Sequence, residues 1–289
     1  MATRARRALR EAYRAFRLSG TRFPIWLDYP FTPRPRWGYG QPLLPGLDER
    51  IEAGRTRYRE TLQALAAYAP DLRAVAVAGD PSSLEPHWDN AFLPPFDAVA
   101  LYGLLRRTRP ARYLEVGSGH STRFARQAIR DEGLSTTVTS IDPEPRARVD
   151  ELCDVVIRQP VEALEDDRLF RELGPGDLLF IDGSHRTFPG SDVTMLLLEV
   201  VPRLAPGVLV QVHDIYLPRD YPDEIIGRWY SEQYLLAAWL LGAREVEIVL
   251  PVNFVCADKE LRRELRPLWA ELGLDGSLPK HGASFWFTR

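Results

Sequence analysis

The sequence predicts an α/β fold with a doubly wound, mostly parallel sheet, a late antiparallel edge pair and a helical, irregular N-terminal cap. From residue 113 onward, short apolar segments alternate with segments of helical length. Two further apolar segments follow near the end of the chain, and the residues before 113 do not show this alternation. Strands joined by helices of this length are typical of parallel sheets that are covered on both faces.

The cap comes first in the chain. Between residues 23 and 46, prolines, glycines and aromatic residues disfavour a regular helix, so we expect an irregular connector there. Helices are predicted over Asp48–Tyr68 and Phe96–Arg107. An arginine-rich stretch over residues 4–18 predicts a further, solvated helix that packs its apolar side on the domain or on a second subunit. We therefore predict an extension over residues 1–95 and an α/β domain over residues 96–289.

The elements of the α/β domain follow in order. Five parallel strands are predicted at Tyr113–Val116, Thr137–Ile141, Asp154–Ile157, Leu178–Ile181 and Val208–Val212. Helices are predicted at Ser121–Arg130, Val161–Leu173, Asp192–Leu204 and Tyr230–Leu241. The late antiparallel pair is expected at Val246–Leu250 and Ser284–Phe287.

Composition limits the classes of partner. A net charge of −3 over 289 residues gives no overall attraction to nucleic acid or anionic membrane, and no apolar stretch reaches the length of a membrane span. The two cysteines, Cys153 and Cys256, form neither a disulfide framework nor a cysteine metal site. We expect a cytoplasmic protein, its arginine bias typical of a bacterial genome. It would act on a small molecule, with no nucleic-acid or membrane partner and with homo-oligomerisation left open.

The first predicted strand ends in a glycine-rich loop that runs from Glu115 to Thr122. Gly117 and Gly119 allow a tight turn and close approach of a ligand, and the following helix offers free N–H groups and a positive dipole end. A dinucleotide fingerprint would need a third glycine where Thr122 stands. Glu115 would repel a pyrophosphate but suits the ammonium of a methionine. Asp142 ends the second strand, where a carboxylate can accept both hydroxyls of a ribose.

These residues resemble the first motif of class I, Rossmann-like S-adenosylmethionine (AdoMet)-dependent methyltransferases, a strand ending in E/D-x-G-x-G. The segments LEVGSGHST, SIDPEP and LLFIDGSH are similar, in this order, to family-24-type methyltransferases. The resemblance extends from roughly Trp88 to the end of the chain. It implies a Rossmann-like domain with AdoMet as its cofactor.

The resemblance also implies which residues bind the cofactor. The methionine end would lie on the glycine-rich loop and Ser121, the ribose on Asp142, and the adenine beside residues 159–162. The complete set is Glu115, Gly117, Ser118, Gly119, Ser121, Asp142, Gln159, Val161 and Asp182.

Two acids and two histidines follow the fourth and fifth predicted strands: Asp182 and His185, then His213 and Asp214. Because parallel strands end at the same edge of a sheet, we expect these four side chains to lie close together. A histidine near its ordinary pKa can accept the proton of an acceptor hydroxyl. The spacing Asp182-x-x-His185 is similar to that of macrolide-sugar O-methyltransferases, which implies catalytic roles for His185, as the base, and for Asp182.

The same resemblance, shared with catechol-like O-methyltransferases, implies a divalent metal, Mg²⁺ or Mn²⁺, bound by Asp182, His213 and Asp214. His213 departs from those families, which have an acid at this position. Mg²⁺ prefers oxygen ligands, whereas imidazole suits metals from Mn²⁺ to Zn²⁺. Three alternatives therefore stay open: a different metal, binding by the two aspartates alone, or no metal.

The predicted function is methylation of a hydroxyl on a small acceptor, such as a sugar or a secondary metabolite. One alternative is a cephalosporin-hydroxylase-like, iron-dependent oxygenase on the same fold, for which His185 and His213 would be useful ligands. Another is a non-catalytic AdoMet-binding protein. Nucleic-acid methylation is disfavoured because no Asn/Asp-Pro-Pro-Tyr-like motif follows the fourth strand, and no basic–aromatic stripe appears beyond the N-terminal arginines.

Overall fold

The computed structural model describes residues 28–80, 83–145, 148–274, 278 and 281–289. The chain forms two compact units, Met1–Arg34 and Pro35–Arg289. Within the first unit, the described residues 28–34 contain no helix or strand and are mostly exposed. The predicted arginine-rich helix lies outside the described residues.

A seven-stranded sheet forms the centre of the second unit, in the order β3-β2-β1-β4-β5-β7-β6. Its strands are β1 (Arg112–Val116), β2 (Thr137–Ile141), β3 (Val155–Ile157), β4 (Leu178–Ile181), β5 (Leu209–Val212), β6 (Glu247–Pro251) and β7 (Phe285–Thr288). The first five strands are parallel, and β7 lies antiparallel between β5 and β6. The prediction of a mostly parallel sheet with a late antiparallel pair is confirmed.

Helices flank this sheet. The α-helices are α1 (Leu47–Glu52), α2 (Arg55–Ala66), α3 (Ala69–Leu72), α4 (Pro95–Thr108), α5 (His120–Asp131), α6 (Arg168–Arg171), α7 (Asp192–Met195), α8 (Asp223–Ile226), α9 (Glu232–Gly242), α10 (Val252–Ala257) and α11 (Arg266–Glu271). Short 3₁₀ segments lie at Asp150–Leu152, Val161–Ala163, Val201–Arg203 and Leu261–Leu265, and a π-helical segment lies at Leu196–Val200.

The central strands are apolar because both of their faces are covered. Every residue of β4 and β5 is buried, so β4 is apolar throughout and β5 is apolar except for Gln211, whose Oε1 accepts from the backbone of Ile181. Trp286 of β7 is fully buried, and its Nε1 donates to Ser284 Oγ over 2.9 Å. The indole is therefore accommodated in the core with its one polar atom paired.

Three predicted helices are interrupted in the structure. The prediction over Val161–Leu173 is wrong, because only a 3₁₀ turn and the four-residue α6 form there; Asp166 Oδ1 accepts from the backbone of Arg168 and turns the chain. The helix predicted from Asp48 is broken before α2. The helix predicted from Asp192 changes to π and 3₁₀ geometry before Pro202, which has no N–H to donate.

Residues 35–95 belong to the same compact unit as the sheet. Leu62 and Leu65 of α2 are completely buried in the hydrophobic core. The boundary at residue 95 stays a prediction. Among the helices of the described residues, none is both long enough and apolar enough to cross a membrane.

Candidate active site

The candidate site lies at the carboxyl ends of the parallel strands. Each residue that follows a strand continues the sheet ladder: the backbone N–H of Gly117 donates to Ile141, that of Asp182 to Val116, and that of His213 to Ile181. These bonds are 2.8 to 3.0 Å long. The predicted edge of the sheet is thus one continuous hydrogen-bonded rim.

A pocket of about 400 Å³ opens at this rim. This volume is in the range of small-molecule sites. Its walls come from the ends of β1, β2 and β4, from the segment after β3 and from the start of α7. The lining residues are Val116, Gly117, Ser118, Ile141, Asp142, Pro143, Glu144, Pro160, Val161, Glu162, Asp182, Gly183, Ser184, Ser191 and Asp192.

Gly117 and Gly119 lie in the same loop, but the absence of a side chain matters for a different reason at each position. Gly117 has φ +82°, and a Cβ there would lie 1.8 Å from the backbone oxygen of Asp182. Gly119 is extended, and among the described residues nothing lies within 4 Å of a Cβ built on it. Gly117 is required by the protein's own packing, whereas Gly119 leaves space that a ligand can occupy.

Glu115 lies beneath the loop and does not line the pocket. Its carboxylate is fully buried and accepts hydrogen bonds from the hydroxyls of Tyr113, at 2.9 Å, and Thr122, at 2.5 Å. Burial raises the pKa of Glu115 to about 7. The structure gives this residue a role in holding the loop, and its predicted contact with a methionine ammonium stays a prediction.

Asp142 lines the pocket in a fixed orientation. One carboxylate oxygen accepts from the backbone of Ser118 and the other from that of Glu144, both over 2.8 Å. A carboxylate oxygen has two lone pairs, so each can accept one further hydrogen bond. Asp142 can therefore still accept from a ligand with paired hydroxyls.

The remaining predicted cofactor residues are divided between two cavities. Ser118, Val161 and Asp182 line the main pocket, and Ser118 and Asp182 also line a smaller cavity beside it. Gly119 and Ser121 line only the smaller cavity. Gln159 is exposed and lines neither. The structure thus brings most of the predicted set together and leaves Gln159 and the buried Glu115 outside both cavities.

The two histidines and two aspartates also meet, as predicted. His185 Nε2 lies 3.3 Å from Asp182 Oδ1 and 3.5 Å from Asp214 Oδ2. His213 Nδ1 lies 3.7 Å from Asp182 Oδ1 and 3.6 Å from Asp214 Oδ1. His185 and Asp214 have left-handed backbones, with φ of 62° and 55°. Such strain in non-glycine residues is commonly found at functional sites.

Two buried acids that the sequence analysis missed complete this cluster. Glu232 Oε1 lies 2.6 Å from His185 Nδ1. Asp97 accepts from the backbones of Ala283 and Ser284, and its Oδ2 lies 3.3 Å from His213 Nε2. Each is in the first turn of a helix, where acids are common for reasons of dipole and capping alone. No signal in the sequence distinguished them from ordinary helix-start acids.

The four acids of this cluster lie close to the two histidines and favour the protonated forms of their rings. Burial alone would lower the pKa of His213, but Asp182, Asp97 and Asp214 outweigh it and raise that pKa to about 10. For His185, burial is likewise outweighed by Glu232 and Asp182, so its pKa is well above the ordinary value. His213 is therefore a cation at neutral pH, and the acids around His185 favour the protonated form of its ring.

The predicted metal ligands do not form a metal site as they are arranged. Asp182, His213 and Asp214 meet as an ion-pair network, with imidazole nitrogens directed at carboxylate oxygens. Within the part of the chain that the structure describes, no group of three histidine, cysteine, aspartate or glutamate side chains has an arrangement that could hold a metal ion. The predicted Mg²⁺ or Mn²⁺ is not confirmed.

The sequence similarity of the α/β domain agrees with this geometry. Residues 114–215 match the model of a family described as a methyltransferase domain, family 24. The resemblance to class I AdoMet-dependent methyltransferases is confirmed by this match. No curated protein matches the chain.

Several solved structures are similar to the chain, among them two methyltransferases. The S-adenosylhomocysteine-bound methyltransferase PaMTH1 of Podospora anserina is 19% identical, with 75% of this chain and 95% of that chain covered and a TM-score of 0.39. The O-methyltransferase TomG of Streptomyces achromogenes, involved in tomaymycin synthesis and solved with AdoMet, is 16% identical, with 79% and 88% covered and a TM-score of 0.40. These low scores transfer no residue role or substrate to this chain, so the domain assignment rests on the family match.

The buried carboxyl of Glu115 predicts a pH-dependent stability. A carboxyl whose pKa rises on folding, here from 4.5 to about 7, binds its proton more tightly when folded, so stability is lost as pH rises through this window. Glu115→Gln lacks this titration. The free energy of unfolding of the variant minus that of the parent protein should therefore be about 2 to 3 kcal/mol larger at pH 8 than at pH 5. Urea unfolding of both proteins at the two pH values measures this gain. Parallel pH dependences would contradict the prediction.

Proposed function

Because residues 114–215 form an AdoMet-dependent methyltransferase domain, we propose that this protein transfers a methyl group to a hydroxyl oxygen of a small acceptor. One observation supports the proposal most directly. Asp182 lines the main pocket and also lies 3.3 Å from Nε2 of the buried His185. The cofactor pocket and the acid–histidine cluster therefore meet at a single residue.

The residues of the rim suit AdoMet. Asp142 would accept the ribose hydroxyls, Pro160 and Val161 would pack against the adenine, and the open side of Gly119 would lie against the methionine end. AdoMet supplies a methyl group bound to a sulfonium sulfur, and that sulfur is the leaving group when an acceptor oxygen attacks the methyl carbon. The chain has to bind and orient the two molecules and to take up the acceptor's proton.

His185 is the residue we propose for holding that proton. Glu232 fixes its Nδ1 side, and the backbone oxygen of His185 accepts from the N–H groups of Ser231, at 2.8 Å, and Glu232, at 3.3 Å. The ring is thereby held with Nε2 toward Asp182 and Asp214. The neighbouring acids favour the protonated form of His185, so a proton has to pass from the ring into this network before His185 can act as a base.

The metal-assisted variant gains no support from the donor arrangement, so we derive no step through a metal. The iron-dependent oxygenase alternative would need free imidazole nitrogens, but Nδ1 of His185 is engaged by Glu232 and Nδ1 of His213 faces two aspartates. No specific observation favours it over methyl transfer. The acid–histidine cluster beside the pocket, in turn, argues against a protein that only binds AdoMet.

Cofactor binding is tested by calorimetric titration with AdoMet and with S-adenosylhomocysteine, each with and without Mg²⁺ or Mn²⁺. We expect binding by the parent protein and at least tenfold weaker binding by Asp142→Ala, about 1.4 kcal/mol. Asp166→Ala, which removes an exposed acid away from the pocket, is the matched control and should bind as the parent does. Failure of the parent protein to bind either compound in any metal condition would overturn the proposed function.

The role of His185 is tested by transfer of a labelled methyl group from AdoMet to a panel of sugars and phenols. His185→Gln keeps a donor for Glu232 but cannot accept the proton, so we expect roughly 100-fold or greater loss of transfer. Affinity for S-adenosylhomocysteine should stay within about threefold, since His185 does not line the pocket. Undiminished transfer by the variant would remove His185 from the mechanism.

A further inference from the structure

Two arginines lie against the aromatic ring that packs on His185. The ring of Tyr230 lies on the imidazole, with 4.4 Å between the ring centroids and 35° between the planes. The guanidinium carbons of Arg186 and Arg228 lie 5.2 and 5.9 Å from the centroid of the same Tyr230 ring. His185 is the residue proposed to hold the acceptor's proton. One aromatic ring therefore separates two cations from the place where the acceptor hydroxyl would react.

The backbone holds this arrangement in place. Trp229 has a left-handed backbone, with φ of 61°, which is rare for a bulky residue. It ends the turn after α8, where its N–H donates to the backbone oxygen of Ile226 over 3.1 Å. Tyr230 follows on the ring of His185, and the N–H of Ser231 then donates to the backbone oxygen of His185. Backbone strain of this kind is commonly found at functional sites.

Neither guanidinium forms an ion pair within the part of the chain that the structure describes. No described aspartate or glutamate oxygen lies within 4.0 Å of a side-chain nitrogen of Arg186 or Arg228. Arg186 donates from Nη1 to the backbone oxygen of Ser184 over 2.8 Å and from Nη2 to that of Arg228 over 3.0 Å. A guanidinium has five N–H donors, and a contact with a ring face uses none of them. Both side chains therefore keep donors for a ligand.

Arg228 lies close enough to the acid–histidine cluster to interact with it. Its contact with Tyr230 and, more weakly, the charge of Asp214 raise the pKa of Arg228. Oxygens of Asp182 and Asp214 lie 3.3 and 3.5 Å from Nε2 of His185, so the acids of the cluster are paired with imidazoles. The two guanidiniums remain as the cations beside this internally paired cluster.

We propose that Arg186 and Arg228 bind a carboxylate group of the methyl acceptor, so that the substrates of this protein are hydroxylated carboxylic acids. The inference rests on the proposed function and names the substrate class of the same site. Arginine suits a carboxylate because its planar fork can donate two parallel hydrogen bonds. The carboxylate and the reacting hydroxyl should be separated by a length comparable to an aromatic ring, since the ring of Tyr230 separates the arginines from His185.

A matched acid and amide test this inference. 4-Hydroxybenzoate and 4-hydroxybenzamide have nearly the same shape and differ in charge, and each is titrated by calorimetry into the protein saturated with S-adenosylhomocysteine. We expect the parent protein to bind the acid at least about tenfold more tightly than the amide. This preference should decrease as the salt concentration rises, because Arg228 is exposed and its charge is screened.

Arg228→Gln removes one of the two cations and keeps a side chain that can donate a hydrogen bond. We expect the variant to bind the acid at least about tenfold more weakly than the parent does, and the amide within about twofold. Arg186→Gln should change the two affinities in the same way. Arg171→Gln is the charge-matched control, because Arg171 is exposed, pairs with Asp167 at 2.8 Å and lines neither cavity. It should leave both affinities unchanged.

The expected result is loss of the acid preference in Arg228→Gln and in Arg186→Gln, with the affinity for S-adenosylhomocysteine unchanged. A parent protein whose S-adenosylhomocysteine complex binds the acid no better than the amide would overturn the inference and leave the proposed function standing. An acid preference that survives in either variant would also overturn it. A parent protein that does not bind S-adenosylhomocysteine would overturn the proposed function, and this inference with it.

Discussion

The site depends on the hydrogen bonds that continue the parallel ladder one residue beyond each strand. The N–H groups of Gly117, Asp182 and His213 are each bonded to the last residue of the neighbouring strand. The strands therefore fix where the glycine-rich loop starts and where the first acid and the second histidine stand. The left-handed backbones of His185 and Asp214, just beyond the rim, can be held in place because the rim itself is rigid.

Buried carboxylates hold the loops and side chains around this rim, and each one holds a different part. Glu115 holds the glycine-rich loop from below, Asp97 anchors the start of β7 beside His213, and Glu232 orients His185. Asp192 accepts from the backbone and hydroxyl of Ser184 over 2.6 Å and holds the turn after β4. Because their oxygens are paired internally, these acids stabilise loops. Asp142, which lines the pocket, has acceptor capacity left for a ligand.

Much of the fold followed from the sequence, since short, mostly apolar runs separated by segments of helical length are typical of strands buried on both faces, as β4 and β5 are. The residues that end those strands were predictable as a cluster for the same reason. Glu232 and Asp97 were not, because an acid in the first turn of a helix is ordinary whether or not a histidine faces it. The helix over Val161–Leu173 failed because the side chain of Asp166 bonds to the backbone of Arg168 and interrupts the regular structure.

We propose that the rim between β1, β2 and β4 holds AdoMet with its reactive end beside Asp182. A crystal structure of the complete protein with S-adenosylhomocysteine tests this most directly. We expect the ribose hydroxyls to lie within hydrogen-bonding distance of Asp142 and the sulfur to lie on the side of the pocket nearest Asp182. A ligand bound away from the glycine-rich loop, or a ribose that makes no contact with Asp142, would contradict it.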